Sequence, residues 1–357
     1  MSFSRWGWNS YFEAMWNEAD CEDAVPARVV AQHRKWWRIA GAFGECLAEP
    51  GGKLRLAAEG GADWPTVGDW VAANINGLGD SASVRLVLPR RNQFTRKAPG
   101  RKIAEQVIAA NVETALLVSA LDCDVNPRRA ERYIAQCWEF GVRPVLILNK
   151  ADACEDAREQ AAEMERVALG IPVHMVSART GQGMEEVERL LIPGQTFVML
   201  GSSGAGKSTL TNRLLGQSLQ RVNDVRANDG RGRHTTTTRE LFALPCGALL
   251  IDTPGLRELQ LWNGEEGLAQ TFADIHLLAE QCRFTNCLHE REPDCAVQAA
   301  VQAGTLPLAR LENQRKLVRE QEFLRRKVDP EARSNEKQRI KRLTREVRRI
   351  YQHKKTT

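Results

Sequence analysis

Gly201-Ser202-Ser203-Gly204-Ala205-Gly206-Lys207-Ser208 matches the pattern GxxxxGK[ST] in full. An apolar run over 197–200 precedes it, and a stretch with helical spacing over 208–215, opening Ser208-Thr209, follows. A strand, a glycine loop and a helix in that order form a phosphate cradle. The glycines let backbone N–H groups wrap an anion, and the helix N-terminus adds a favourable dipole. Lys207 is expected at the β- and γ-phosphates and Ser208 at a magnesium ion, with Gly201 to Thr209 as the nucleotide-binding loop.

Three further segments extend this reading. Asp252-Thr253-Pro254-Gly255 ends the apolar run 248–251. An acid there can hold magnesium, and the Gly255 amide can sense the γ-phosphate. Asn149-Lys150-Ala151-Asp152 follows the run 144–148, and Ser177-Ala178 follows 172–176. An Asp152 carboxylate accepts hydrogen bonds from guanine N1–H and its 2-amino group, which adenine cannot offer. The backbone at Ser177-Ala178 is expected to reach the guanine O6. Each segment sits at the C-terminal end of a predicted strand, where α/β proteins bind ligands.

Their order is unusual. In Ras-like GTPases the phosphate loop comes first and the base-selecting segments last. Here 149–152 and 177–178 precede 201–208 and 252–255. Chain ends that lie close together can be joined and the chain cut elsewhere with the sheet preserved. Predicted strands at 114–121, 144–148, 172–176, 197–200 and 248–251 alternate with helical patterns near 129–140, 155–169 and 184–191, which argues for a parallel sheet covered on both faces. The fold class is therefore an α/β P-loop GTPase with circularly permuted motifs.

Between the phosphate loop and Asp252 lies Gly230-Arg231-Gly232-Arg233-His234-Thr235-Thr236-Thr237-Thr238-Arg239. One threonine of a mobile switch should bind magnesium when the γ-phosphate is present, Thr237 being favoured and Thr236 next. A basic RNA-contact loop is compatible with the same residues.

Toward the C-terminus, Cys282-x₄-Cys287-x-His289-x₅-Cys295 offers three thiolates and an imidazole. Four soft ligands fit a closed, structural zinc site, one ion per chain. The chain after Thr271 otherwise reads as helical, giving a helical zinc-binding domain. Residues 1–97 read as β-rich, with short runs at 29–31, 53–56, 69–72 and 83–88 separated by Gly/Pro/Asp turns. Seven of the nine tryptophans lie in the first 70 residues. A small OB-fold barrel suits this pattern, its aromatics either filling the core or meeting nucleic acid. His33, His174, His276 and His353 stand alone and read as structural or solvated.

The net charge of +5 hides an asymmetry: 309–357 carries 17 Lys/Arg against 7 Asp/Glu, leaving the first 308 residues at −5. A basic tail favours nucleic acid or an acidic surface. Nine cysteines, an odd number mostly scattered singly, fit a reducing cytoplasm and one metal site. No apolar run approaches the roughly 18 residues of a membrane span, and no secretory leader is expected. The domain plan is an extension over 1–24, a barrel over 25–97, the permuted GTPase over 98–262, the zinc domain over 263–327 and a basic tail over 328–357.

The permuted motifs, Gly232-Arg233-His234-Thr235-Thr236-Thr237 and the Cys/His cluster together closely resemble the ribosome small subunit-dependent GTPase A family, RsgA or YjeQ. Pro65-Thr66-Val67-Gly68-Asp69-Trp70-Val71 resembles the family's OB domain, and the resemblance spans roughly 25 to 327. It implies a cytoplasmic factor in late maturation of the 30S subunit, binding its rRNA and stimulated by it. Leu256 stands where Ras-like proteins keep a water-orienting Gln. By resemblance His234 is the candidate for orienting the attacking water, with a switch-loop or RNA contact as the alternative. The expected protein is a monomeric GTP hydrolase that binds GTP and GDP and meets no membrane. The competing reading is an RNA-binding assembly placeholder whose nucleotide site only tunes affinity. Asn149–Asp152 and the lack of a second substrate motif argue against an ATP-dependent kinase.

Overall fold

The chain opens with a helix that its sequence does not announce. In the computed structural model, α1 (Ser10–Glu18) follows a 3-10 turn at Phe3–Trp6 and is capped by Asn9, whose side chain accepts from the Tyr11 and Phe12 N–H groups. The described residues are 3–19, 21, 23–33, 35–77, 80–97, 105–122, 125–216, 239–252 and 265–328. They fall into two compact units, one up to residue 252 and the other from 265 onward.

In the first unit, β1 (Val25–Gln32), β2 (Trp37–Gly41), β3 (Gly44–Pro50), the short α2 (Gly52–Ala57), β4 (Trp70–Asn76) and β5 (Ser81–Val87) follow one another. Pairing runs β1-β2-β3-β5-β4 and returns to β1 through a β1–β4 ladder, closing a five-stranded barrel of OB type. Ala27, Val29, Trp37, Ile39, Ala48, Val71 and Val84 fill its interior. The predicted strand at 53–56 is a correction: these residues lie in α2. Alternation would put Leu54 and Leu56 on one face, but Leu54 is buried while Leu56 is 89 % exposed. Four alternating residues after Gly51-Gly52 are too few to fix a period.

The segment 65–71 owes its residue types to barrel closure. Asp69, fully buried, accepts from the Thr66 N–H and from both Nε and Nη2 of Arg90 at 2.8 Å. Gly68 has φ +93°, and a β-carbon there would run into the Ala110 carbonyl. Trp70 is completely buried.

The chain then forms a hairpin, β6 (Gln93–Lys97) and β7 (Glu105–Ala110), which the sequence reading does not include. It continues as β8 (Thr114–Ala120), α3 (Pro127–Glu139), β9 (Arg143–Asn149), α4 (Ala157–Val167), β10 (Val173–Met175), α5 (Met184–Leu190), β11 (Thr196–Leu200), α6 (Lys207–Leu215), β12 (Arg239–Ala243) and β13 (Leu249–Asp252). β10-β9-β8-β11-β13 are parallel neighbours, and β12 adds antiparallel to β13. Successive β8 residues serve opposite faces: Ala115 and Leu117 join one apolar cluster, Leu116 and Val118 the other. A strand buried on both faces is why the parallel run reads as continuous apolar sequence.

β12 also pairs with barrel strand β1, Ala31 opposite Glu240 and Gln32 opposite Arg239, so barrel and α/β sheet form one eleven-stranded sheet. One core spans both: Trp6 and Phe12 from the N-terminal segment, Trp70 and Leu88 from the barrel region, Ile108 from the β6–β7 hairpin, and Leu117 and Ile251 from the parallel strands. Arg28 is buried in this junction, donating to Trp6 O at 3.2 Å, Asn111 O at 3.3 Å and Thr196 Oγ1 at 3.0 Å, beneath the Trp70 ring. Desolvation lowers its pKa to about 10, still charged at neutral pH.

The second unit holds α7 (Glu265–Thr271), α8 (Ala273–Ala279), α9 (Ala296–Gln302) and α10 (Leu308–Val328). Buried Arg310 of α10 binds both Asp274 oxygens at 2.8 Å and the Thr271 carbonyl, with Phe272 beneath it.

Candidate functional site

Lys207 opens α6 directly after the glycine loop, and β11 delivers the loop from the middle of the parallel sheet. Gly201, Gly204 and Gly206 take φ of +150°, +82° and +89°. A β-carbon on Gly201 would strike the Val118 carbonyl, and one on Gly206 the Asn149 side chain, so these positions exclude any larger residue. Ala205 is buried, while Ser203, Gly204, Ser208 and Thr209 are exposed. Lys207 Nζ donates to Gly201 O at 2.8 Å and Ser202 O at 2.5 Å, which keeps the ammonium at the mouth of the loop.

Asn149 ends β9, the strand next to β8, and its buried amide ties three segments together. Nδ2 donates to Ala205 O and Oδ1 accepts from the Ala178 N–H, both at 3.0 Å. Lys150 sits in the left-handed region at φ +65°, and its Nζ reaches Asp122 at 2.9 Å. That conformation turns Ala151 and Asp152 into a short 3-10 turn. Asp152 Oδ1 accepts from Ser177 Oγ at 2.6 Å, and Oδ2 pairs with Arg179 at 2.7 Å. The Ser177 hydrogen bond, then the Arg179 charge, hold the carboxyl below the ordinary range against some desolvation, so it is an acceptor at neutral pH. Asn149 to Asp152, Ser177, Ala178 and Gly201 to Thr209 thus converge at the C-terminal ends of the parallel strands β9, β10 and β11, with β8 lying between β9 and β11. Asp252 ends β13 on the other side of β11, opposite Glu240 of β12.

Sequence reading overlooked two arginines. Arg213 of α6 donates to Ala178 O at 3.1 Å and Arg179 O at 3.3 Å, so the phosphate-loop helix also grips the base loop. Arg179 itself follows Ser177-Ala178 directly, and that adjacency was the available signal. His234, Thr236, Thr237, Gly255 and Leu256 lie outside the described residues, as do the rest of the threonine loop and the tail from 329.

In the second unit, the Cys282, Cys287 and Cys295 sulfurs and a ring nitrogen of His289 all lie within 4.8 Å of one another. Cys282 and Cys295 are 3.8 Å apart, and His289 Nδ1 is 3.6 and 3.5 Å from them. An ion with bonds of about 2.0–2.3 Å spaces tetrahedral sulfur ligands about 3.8 Å apart and sulfur–nitrogen pairs about 3.6 Å apart. Those three donors match this spacing, and with the Cys287 sulfur inside the same 4.8 Å the set could hold a four-coordinate metal ion. Partial desolvation and the two neighbouring thiols push Cys287 up to about 11, a proton that a cation would displace. The loop is held from outside. Glu292 accepts from the Leu288, Glu290 and Arg291 N–H groups, the Cys295 sulfur accepts from the Gln298 N–H at the start of α9, and Arg315 and Gln298 both donate to the His289 carbonyl.

The chain is similar to known proteins. The sequence profile of the RsgA GTPase family matches residues 87–262. A small ribosomal subunit biogenesis GTPase RsgA from Opitutus terrae is 46 % identical over 352 residues, 96 % of either chain. Its namesake from Xylella fastidiosa is 46 % identical over 298 residues, 82 % of this chain and 84 % of that one. The crystal structure of YjeQ from Thermotoga maritima superposes with TM-score 0.63 at 28 % identity, covering 84 % of this chain and 98 % of that one. With the permuted strand order and the Cys₃His cluster in the same chain, these likenesses settle the family: the chain belongs to the RsgA GTPases.

Proposed function

We propose that this GTPase acts in late maturation of the small (30S) ribosomal subunit, hydrolysing GTP to GDP and phosphate when the subunit engages it. The observation that carries the reading is the convergence of the base-selecting segments and the phosphate loop through Asn149, in a chain whose relatives are named for that subunit's biogenesis.

Asp152 and the Ser177-Ala178 backbone select guanine, and Lys207 with the loop amides balances charge on the transferring phosphoryl group. Ser208, Thr237 and Asp252 are the residues that would hold magnesium, which supplies electrostatic stabilisation of that charge when bound. His234 orients the attacking water, a task that Leu256 cannot perform. Zinc is the ion assigned to Cys282, Cys287, His289 and Cys295, with a structural role because no ligand position is left open. The division at 24, 97, 262 and 327 stands as part of this reading. The barrel and the basic tail are its rRNA contacts, and it works as a cytoplasmic monomer. No helix among the described residues is long and apolar enough to cross a membrane.

The test is GTP turnover with and without purified 30S subunits. Stimulation by the subunit is expected. Unstimulated turnover, with GTP-analogue and GDP forms bound equally by the subunit, would favour the RNA-binding placeholder instead.

A further inference from the structure

Asp152 presents two carboxylate oxygens, and each has a partner from a different side. Ser177 Oγ, part-buried within the protein, holds Oδ1 at 2.6 Å. Arg179 holds Oδ2 at 2.7 Å with a side chain 79 % exposed, so this oxygen is approached from solvent. The Asp152 side chain is only 14 % exposed. A guanidinium N–H on a carboxylate oxygen offers the same contact as a purine N–H: a planar donor meeting an in-plane lone pair.

Guanine brings two such donors, N1–H and the 2-amino group. Hypoxanthine, the base of inosine nucleotides, brings N1–H alone. We infer that Arg179 sets how strongly this site prefers guanine over hypoxanthine, by holding the Asp152 oxygen that the 2-amino group would otherwise take. This rests on the assignment of Asp152 to the base. Ser177 reaches Oδ1 from within the protein and leaves a lone pair of that oxygen to N1–H, whereas the exposed Arg179 side chain lies on the solvent side of Oδ2, so guanine must displace the guanidinium to make its second contact. Hypoxanthine leaves Arg179 in place, so the oxygen keeps a partner and the missing amino group is penalised less.

The consequence is a linkage. The Arg179–Asp152 contact is present in the nucleotide-free and ITP-bound forms and lost in the GTP-bound form. Removing Arg179 therefore strengthens GTP binding and leaves ITP binding where it was. The contact is exposed, which limits the gain to about two- to fivefold. The backbone of residue 179 is held separately by Arg213, so the loop keeps its place when the side chain changes.

The experiment is displacement of a fluorescent GDP analogue by GTP, ITP and ATP from the wild-type chain, Arg179→Met and Arg179→Lys. Arg179→Met should lower the GTP Kd about two- to fivefold with the ITP Kd unchanged, and Arg179→Lys should stay near wild type. High salt should narrow the gap between wild type and Arg179→Met by screening the ion pair. If GTP and ITP move together, or neither moves, while the wild type still prefers GTP to ATP, the role of Arg179 is overturned and the Asp152 assignment stands. If the wild type does not distinguish GTP from ATP, both fall.

Discussion

Gly206 and Asn149 meet where the glycine loop touches the 149–152 segment: a β-carbon on Gly206 would lie only 2.2 Å from the Asn149 side-chain nitrogen. Asn149 holds Ala205 on one side and Ala178 on the other, so the two halves of the proposed nucleotide pocket are located by one amide.

Gly206→Ala should therefore damage base and phosphate recognition together. Its φ of +89° disfavours any side chain, and the amide it would displace is buried. The expected loss of GDP and GTP affinity is at least about tenfold. Thermal stability without nucleotide should fall far less. Titration with fluorescent nucleotide beside a melting curve separates the two effects.

Asp152→Asn replaces an acceptor-only carboxylate with an amide that points a donor at guanine's donors. GTP affinity should fall about ten- to a hundredfold, the range for a charge-assisted hydrogen bond. Xanthosine nucleotides carry an acceptor at that position and should gain. Competition between GTP and XTP checks this, and an unchanged GTP affinity would remove Asp152 from base selection.

Cys287→Ala should release the metal from the second unit. On the proposed reading the ligand loop would rest on the ion as well as on the backbone contacts from Glu292, Arg315 and Gln298, and metal binding free energy would be folding free energy. Elemental analysis of the wild type should give one zinc per chain, and of the variant none. Nucleotide affinity should persist, because every residue of the nucleotide pocket described above belongs to the first unit.

Arg28→Ala should destabilise the first unit by about 3 kcal/mol or more, through a cavity and newly unpaired buried carbonyls. The orphaned acceptors are those of Trp6 and Asn111, together with the Thr196 hydroxyl. Urea unfolding followed by tryptophan fluorescence reads this directly, since Trp6 and Trp70 both border the site.

How much of this was legible follows from where the information lies. The phosphate loop, Asn149–Asp152 and the cysteine cluster could be read because their chemistry fixes residue type at short spacing. The strands at 114–121, 144–148 and 197–200 could be read because burial on both faces demands an unbroken apolar run. Residues 53–56 misled because a two-period pattern of four residues also suits one helical turn. Residues 3–18 gave no sign of their place, since Trp6 and Phe12 are buried by residues more than 50 positions away in the chain, such as Trp70. Arg213 reads as an ordinary helix-surface charge until the fold brings the Ala178 and Arg179 carbonyls to it.

The ladder between β12 and β1 bears on how this chain can be cut. Remove the residues before 98, and β12 becomes a bare edge strand beside a half-opened core, with Ile108 and Ile251 facing water. Exposed edges of that kind recruit other chains. A fragment carrying every residue proposed to bind nucleotide would then be prone to aggregate for a reason unrelated to nucleotide, and its low yield would say nothing about the pocket. The cut that respects the hydrogen bonding keeps the barrel and the helix before it.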